Sequence, residues 1–156
     1  MSVAAPSSLY WSSGLVRRFS SADGPEDAIR LVGNLLIKAG AATAAHVEAA
    51  VRREAEYPTG LPASVPFALA HTDAPGALRL AAAVGIFEQP VVFRRMDRPS
   101  EMLPVRLVAM LTVPRRHMQA ELLSNLIKGL ASPGVAEQLL EAPPPDALRL
   151  LRGVTG

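Results

Sequence analysis

His71 is the first of three residues whose types and settings suit phosphoryl chemistry. It follows the short apolar run "VPFALA" (65–70) and precedes a small hydroxyl residue, Thr72. It therefore falls where a strand should end and a loop begin, a frequent position for reactive residues in α/β proteins. The alternative interpretation is a structural histidine that hydrogen-bonds a loop.

His117 is the second candidate, early in the segment "PRRHMQAELLSNLIKGL" (114–130), which is predicted to be helical. Backbone N–H groups at a helix N-terminus favour a bound anion, and the same partial positive charge favours a neutral imidazole. A neutral imidazole can act as a nucleophile, or as a hydrogen-bond donor to phosphate, near pH 7. The alternative is a solvated residue of a first helical turn.

Arg53 is the third candidate and lies near the end of the predicted helix "TAAHVEAAVRREAEY" (43–57). By helical angle it lies at the edge of the apolar stripe, so its long stem can reach a neighbouring cleft, or it is an ordinary surface arginine. A guanidinium matches phosphate oxygens and stays charged. Glu54 falls inside the stripe, where it either orients Arg53 or frays with the helix end.

A phosphoryl group on a ring nitrogen can be held by groups of these kinds: two imidazoles, one arginine and a helix N-terminus. One nitrogen attacks in line, while the cations and donors neutralise charge on the equatorial oxygens. The sequence contains no P-loop, kinase glycine loop or acidic metal cluster, so it predicts a chain that receives and passes on a phosphoryl group without cleaving ATP. No cofactor is expected.

The alternative chemical interpretation of these residues is a metal site built from the three histidines of the chain. His46 lies on the first turns of the second predicted helix, and the sequence pattern does not place it near His71 or His117. No acidic residue supplies metal-ligand spacing. We therefore predict no metal, and interpret His46 as a solvated helix residue.

Length, composition and charge limit the class of protein. The chain has 156 residues, of which 49% are hydrophobic and 19% charged, which predicts one globular domain. It has no cysteine, no signal peptide pattern and no apolar run near the roughly 18 residues that span a bilayer. These features favour a cytoplasmic protein without membrane insertion. The net charge of only +2, with no dense basic cluster, argues against nucleic-acid binding.

Helices are predicted at both ends of the domain. Residues 1–22 are Ser- and Ala-rich and predict a mobile N-terminal arm, with docking of its "LYW" and "LVRRF" patches on the body as the alternative, followed by one domain over 23–156. "DGPEDAIRLVGNLLIKAG" (23–40) predicts a helix with an Asp cap and a terminal glycine. The helix over 43–57 has Thr43 as its cap and stops at Pro58. Two short closing helices, "PGVAEQLLEA" and "PPDALRLLRG", follow the helix over 114–130.

Between the second and third helices the hydrophobic period changes to that of strands. The runs "VPFALAH" (65–71), "LRLAAAVGIF" (78–87) and "VRLVAMLTV" (105–113) predict strands buried on both faces of a sheet. "PVVF" (90–93) predicts a further short strand, hairpin-paired with the run before it. The fold class is therefore α/β, a single domain with a mixed β-sheet of about five strands flanked by helices on both faces.

Three separated motifs carry a family resemblance. "RREAEYPTGL" (52–61), "ALAHT" (68–72) and "RRHMQAELLSNLIKGLASPGVAEQLLEA" (115–142) resemble the IIA components of the bacterial phosphoenolpyruvate-dependent sugar phosphotransferase system. The class is the fructose/mannitol type, and "PTGL" with "HTD" is most similar to its galactitol-like branch. The similarity spans about residues 24–152, and the step of 46 residues from His71 to His117 also fits the family.

The resemblance implies a role for each candidate residue. His71 would accept a phosphoryl group from the histidine-containing phosphocarrier protein and pass it to a IIB component for coupled sugar uptake. His117 and Arg53 would support that group in a shallow cleft that two protein partners can reach.

One departure bears on function. The family usually has proline directly before the active histidine, and this chain has Ala70, which loosens the backbone there. Two alternatives stay open: a regulatory relative whose phosphorylation state at His71 controls a partner, and a relative that binds only and has lost the chemistry.

Overall fold

The structure is a computed structural model that describes residues 9–155, apart from the side chains of Ser13, Val154 and Thr155. Short 3₁₀ turns precede the first strand and the third helix, at Ser13–Leu15 and Arg116–Met118. In chain order the other elements are β1 (Val16–Phe19), α1 (Pro25–Lys38), α2 (Ala44–Glu56), β2 (Gly60–Leu61), β3 (Phe67–Ala70), β4 (Ala81–Arg94), β5 (Met102–Thr112), α3 (Gln119–Ala131), α4 (Val135–Glu141) and α5 (Pro144–Thr155).

The five strands form one mixed sheet in the order β1-β4-β5-β3-β2. β4 and β5 pair antiparallel, as do β2 and β3, whereas β1 runs parallel to β4 and β3 runs parallel to β5. The predicted α/β class with a mixed sheet of about five strands is confirmed. The parallel pair β3–β5 is the most important for the site, because the carboxyl ends of both strands lie at the same end of the sheet.

Both faces of the sheet are covered. The first seven residues of β4 are buried in succession, and so are all four residues of β3. Continuous burial requires cover on both sides, as in parallel sheets of α/β proteins. α1 packs on α2 and on the central strands, while α3, α4 and α5 pack on one another. In the part of the chain that is described, no helix is long and apolar enough to cross a bilayer.

The first two helices begin and end for local reasons. α1 opens with Pro25 and two acidic residues in its first turn, which suits the helix dipole. Its N-cap is Gly24, at φ 142°, and not the predicted Asp23. α2 is capped as predicted, because the Thr43 hydroxyl accepts a 3.1 Å hydrogen bond from the backbone N–H of His46.

The N-terminal segment is part of the fold from residue 9 onward. β1 extends the sheet in register with β4, Val16 opposite Val84, and Leu15 is fully buried. Residues 9–19 are therefore docked on the body, as the alternative for the "LYW" and "LVRRF" patches had it, and are not a mobile arm; residues 1–8 lie outside the described residues. A strand of four residues leaves only a weak pattern, and its partner strand is more than sixty positions away.

"PVVF" belongs to β4 and is not a separate strand. β4 runs unbroken from Ala81 to Arg94 and pairs with β5 on both sides of a register shift that lies between Ile86 and Val91. Pro90 lies at that irregularity, where a missing backbone N–H is tolerated. The predicted pairing of 90–93 with the preceding run is wrong for this reason: the chain does not turn there.

Candidate functional site

The site residues meet where β3 and β5 end. Ala70 pairs with Met110 in the parallel ladder, so both strands point the same way. His71 is the first residue after β3, and the chain leaving β5 reaches the 3₁₀ turn that holds His117. Because these strands are parallel neighbours, the segment that holds His71 and the segment that holds His117 leave the sheet at the same end.

The His71 ring is oriented by its own strand. Its Nδ1 lies 2.9 Å from the carbonyl oxygen of Leu69. A carbonyl oxygen only accepts, so Nδ1 carries the proton and donates it. The lone pair of the neutral ring is then on Nε2. Ala70, which replaces the family's usual proline, is buried and held in the β3–β5 ladder, so the backbone ahead of the ring is fixed by pairing.

The surroundings of His71 keep its imidazole neutral. Burial is the main effect and lowers the pKa of His71 below its usual value. The hydrogen bond to Leu69 opposes this, the charge of Arg53 adds to it, and the charge of Asp73 opposes it. The net direction is downward, so near pH 7 the ring is neutral with a free nucleophilic nitrogen.

Arg53 provides a cation beside His71. Its guanidinium carbon lies 5.0 Å from the centre of the Tyr57 ring, a distance typical of a cation–π contact. The side chain is half-buried, and its Nε is buried without a hydrogen-bond partner among the described residues. A buried N–H with no partner is energetically costly.

His117 is exposed and lies in the 3₁₀ turn directly before α3, because the α-helix begins at Gln119 and not at residue 114 as predicted. The neighbouring Arg116 bonds to Asp73, two residues after His71, with 3.1 Å between Nη2 and Oδ2. The loop that follows His71 and the turn that carries His117 are therefore in direct contact. The structure brings His71, Arg53 and the His117 turn to one region.

Glu54 neither orients Arg53 nor frays with the helix end, the two roles predicted for it from the sequence. It is buried, and its carboxylate accepts hydrogen bonds from the backbone N–H of Thr59 at 2.8 Å and from the Thr59 hydroxyl at 2.7 Å. Burial raises the pKa of Glu54 to about 7, against the effects of Thr59 and Arg94. Glu54 thus ties the end of α2 to the loop that enters β2.

His46 is buried and not solvated, so that prediction is wrong. Its side chain is 1% exposed, and its Nδ1 lies 3.0 Å from the carbonyl oxygen of Ala74 and 3.2 Å from that of Pro75. The signal was present in the sequence, because His46, Ala50 and Glu54 are spaced four apart and share the inner face of α2. Among the described residues no group of three or more His, Cys, Asp or Glu residues is placed to hold a metal ion.

Comparison with solved structures supports the fold. A complex of enzyme IIA-mannitol and phosphorylated enzyme IIB-mannitol from Escherichia coli matches with a TM-score of 0.75 and 23% identity, over 93% of this chain and 99% of that chain. The crystal structure of mannitol IIA from Escherichia coli gives 0.74 and 22%, over 92% and 99%. The nitrogen regulatory protein IIA-Ntr from Neisseria meningitidis gives 0.72 and 22%, over 90% and 94%.

The family follows from the sequence comparison. No curated protein matches the chain. The family described as "Phosphoenolpyruvate-dependent sugar phosphotransferase system, EIIA 2" matches residues 11–152, nearly the whole chain. None of these matches tests the galactitol-like branch, which stays a prediction. The chain belongs to the EIIA 2 family of the phosphoenolpyruvate-dependent sugar phosphotransferase system.

Proposed function

We propose that this chain carries a phosphoryl group on Nε2 of His71, takes it from the histidine-containing phosphocarrier protein and passes it to a IIB component for sugar uptake. The observation that carries the proposal is the His71 ring itself. It has a proton on Nδ1 held by Leu69, a lowered pKa and Arg53 beside it. Family membership makes phosphoryl transfer the chemistry that such a ring performs.

The transfer step balances without any further reagent. The Nε2 lone pair of His71 attacks phosphorus, and the bond from phosphorus to the donor's ring nitrogen breaks, its electron pair returning to the donor. The His71 ring then carries positive charge, which the hydrogen bond from Nδ1 to the Leu69 carbonyl stabilises. In the outward step a nucleophile of IIB, which the family resemblance implies to be a cysteine thiolate, attacks phosphorus, and the P–N bond breaks with its electron pair returning to Nε2.

Arg53 and His117 support the transferring group. The guanidinium of Arg53 is close enough to affect the pKa of His71 and has one donor without a partner among the described residues. His117 is exposed in the turn that contacts the His71 loop. Charge on the equatorial oxygens would be neutralised by these groups, and an arginine in this role contributes roughly 10³ to 10⁵ in rate.

IIB is the partner that the comparisons favour. One similar structure holds a mannitol IIA enzyme together with phosphorylated IIB. The exposed His117 and the half-buried His71 suit a site that partner proteins reach from solution. The nitrogen regulatory IIA-Ntr shares the fold equally well, but the family description names sugar phosphotransfer, and no feature of the described site favours the regulatory alternative.

Phosphorylation from phosphoenolpyruvate, through enzyme I and the phosphocarrier protein, tests the proposal. Intact mass under alkaline conditions, where phosphohistidine is stable, should show one phosphoryl group on the wild type and none on His71→Ala. His117→Ala and Arg53→Gln should label slowly, with their folding checked by circular dichroism. IIB proteins from the same genome then serve as acceptors.

Three outcomes would contradict the proposal. A wild-type chain that stays unlabelled, with a donor that labels another IIA protein, would favour the relative that binds only. Labelling of His71→Ala would place the phosphoryl group on another residue. Labelling of His71 without transfer to any IIB protein of that genome would favour the regulatory alternative.

A further inference from the structure

The loop after His71 is clamped to the start of α2 by several contacts. The backbone N–H of Thr43 donates to the Gly76 carbonyl at 2.9 Å, and Ala42 forms a bridge with Ala77. Gly76 has φ 111°, and a Cβ there would lie 2.3 Å from the Thr43 hydroxyl oxygen. The junction between α1 and α2 therefore fixes residues 74–77.

His46 contributes the buried side chain of this clamp. Both of its Nδ1 contacts are to carbonyl oxygens, of Ala74 and Pro75, so Nδ1 carries the proton. Its Nε2 is buried with no partner among the described residues. Burying an unpaired polar nitrogen is unfavourable, and an apolar side chain of similar size would avoid that cost. What the imidazole adds is the hydrogen bonding to the loop.

The loop segment between His71 and Ala74 is short and held at both ends. On one side the His71 ring is bonded to Leu69, and on the other the Ala74 carbonyl is bonded to His46. Only Thr72 and Asp73 lie between. The Thr72 hydroxyl accepts from the backbone N–H of Ala74 at 3.1 Å, which tightens the turn. Asp73 therefore has little freedom in where it projects.

Asp73 uses that placement to contact the other half of the site, through Arg116. The pair is exposed, 78% for the arginine and 51% for the aspartate side chain. An exposed ion pair contributes about 0–1 kcal/mol to stability. The pair is the contact through which the loop after His71 biases the placement of the turn that carries His117, and its strength limits that bias to about fivefold.

We propose that His46 is a positioning residue for phosphoryl transfer: it holds the carbonyls of Ala74 and Pro75 so that Asp73 meets Arg116 and the His117 turn stays beside His71. The inference rests on the proposed function and adds a residue that contacts neither the phosphoryl group nor a partner. Misplacement of a catalytic group by about 1 Å can lower a rate by roughly 10²-fold.

Two substitutions separate hydrogen bonding from packing. His46→Phe keeps a ring of similar size and removes the donor, whereas His46→Asn keeps an N–H donor near the Nδ1 position. The single-turnover rate from the phosphorylated carrier should fall about two- to fivefold in His46→Phe, with KM for the carrier unchanged. His46→Asn should keep most of the rate. If His46→Phe does not fold, His46→Gln, whose amide lies one bond further out, replaces it.

Val47→Ala is the matched control. Val47 is also buried in α2, next to His46, but packs towards Gly33 and away from the loop. It should lower the melting temperature without lowering the transfer rate of the folded protein. A second readout needs no donor: the amide NMR signals of Asp73 and His117 should shift in His46→Phe, and those of His117 should not shift in Val47→Ala.

The outcomes are distinguishable. A folded His46→Phe protein with the wild-type rate and unshifted His117 signals would overturn the positioning role. An unlabelled wild type with shifted His117 signals in His46→Phe would defeat the proposed function and leave the structural coupling intact. Equal loss of rate in His46→Phe and Val47→Ala would assign the effect to general destabilisation and overturn the inference.

Discussion

Nδ1 of His71 lies 2.9 Å from the carbonyl oxygen of Leu69, two residues earlier in the chain. The proton, the tautomer and the ring orientation of the nucleophile are therefore set by its own backbone, and no second side chain is needed to orient it. The charged neighbours Arg53 and Asp73 are then left to adjust its pKa.

The first prediction concerns those two neighbours, which act on His71 with opposite sign. Arg53→Gln removes a positive charge that disfavours the imidazolium, so the pKa of His71 should rise. Asp73→Asn removes a negative charge that favours it, so the pKa should fall. Titration of the His71 ring carbon protons by NMR measures both.

The pH dependence of phosphorylation should follow. The wild-type pKa lies below 6.5, so the rate of labelling should be constant above that pH and decline below it as the ring gains a proton. In Arg53→Gln the decline should begin at higher pH. Shifts of the same sign in both variants would contradict the assignment of these charges.

Much of the architecture could be predicted because it is periodic. α1, α2 and α3 each place apolar residues on one helical face, and β3 and the part of β5 over 107–111 are short continuous apolar runs. His71, His117 and Arg53 could be selected by residue type and by position relative to those elements. Their assembly depends on β3 and β5 being parallel neighbours, which no local pattern specifies.

The features that the sequence did not predict depend on contacts that only the folded chain creates. β1 was missed because four residues pair with a strand far along the sequence. The partner of Glu54 is only five residues away, yet the bond forms because the chain turns sharply after α2. The burial of His46 results from the loop at Ala74 folding over α2. Each signal was visible as a residue type, but its partner was not.

The second prediction tests whether the N-terminal segment belongs to the folded core. Leu15 is fully buried, so Leu15→Ala should lower the free energy of unfolding by about 2–5 kcal/mol. The exposed Ser20 is the control, and Ser20→Ala should change stability by less than about 0.5 kcal/mol. Urea unfolding measures both. Equal stability of the two variants would support a mobile arm.

The third prediction uses the buried carboxyl of Glu54. Its pKa in the folded state, about 7, lies above the ordinary value of 4.5. The folded state therefore binds the proton more tightly than the unfolded state does, and Glu54 favours folding most below pH 4.5. That contribution is lost as the pH rises through 7, by up to roughly 3 kcal/mol.

Glu54→Gln should remove this dependence, because a neutral amide does not titrate. The free energy of unfolding of wild type minus that of Glu54→Gln should decrease between pH 5 and pH 8. Glu48 is the matched control on the same helix, because it is exposed and the Arg30 side chain lowers its pKa. The contribution of Glu48 to the free energy of unfolding should therefore stay constant between pH 5 and pH 8 and be lost only at lower pH. A constant difference for Glu54→Gln would show that its carboxyl titrates normally.

The fourth prediction concerns Gly76, where the loop after His71 touches the start of α2. Its φ of 111° is strained for any other residue, and an added Cβ would lie 2.3 Å from the Thr43 hydroxyl oxygen and 2.9 Å from Cβ of His46. Gly76→Ala should therefore cost about 2 kcal/mol or more in stability. Because the loop must move, phosphorylation of His71 should also slow.

Gly153→Ala is the control, since it lies in α5 with no atom within 4 Å of an added Cβ. It should raise stability by about 0.5–1 kcal/mol through helix propensity. Thermal unfolding gives the order, Gly153→Ala above wild type and Gly76→Ala below it. Tolerance of alanine at Gly76 with normal labelling would mean that the loop and the start of α2 are not rigidly joined, and the clamp around His46 would lose its physical basis.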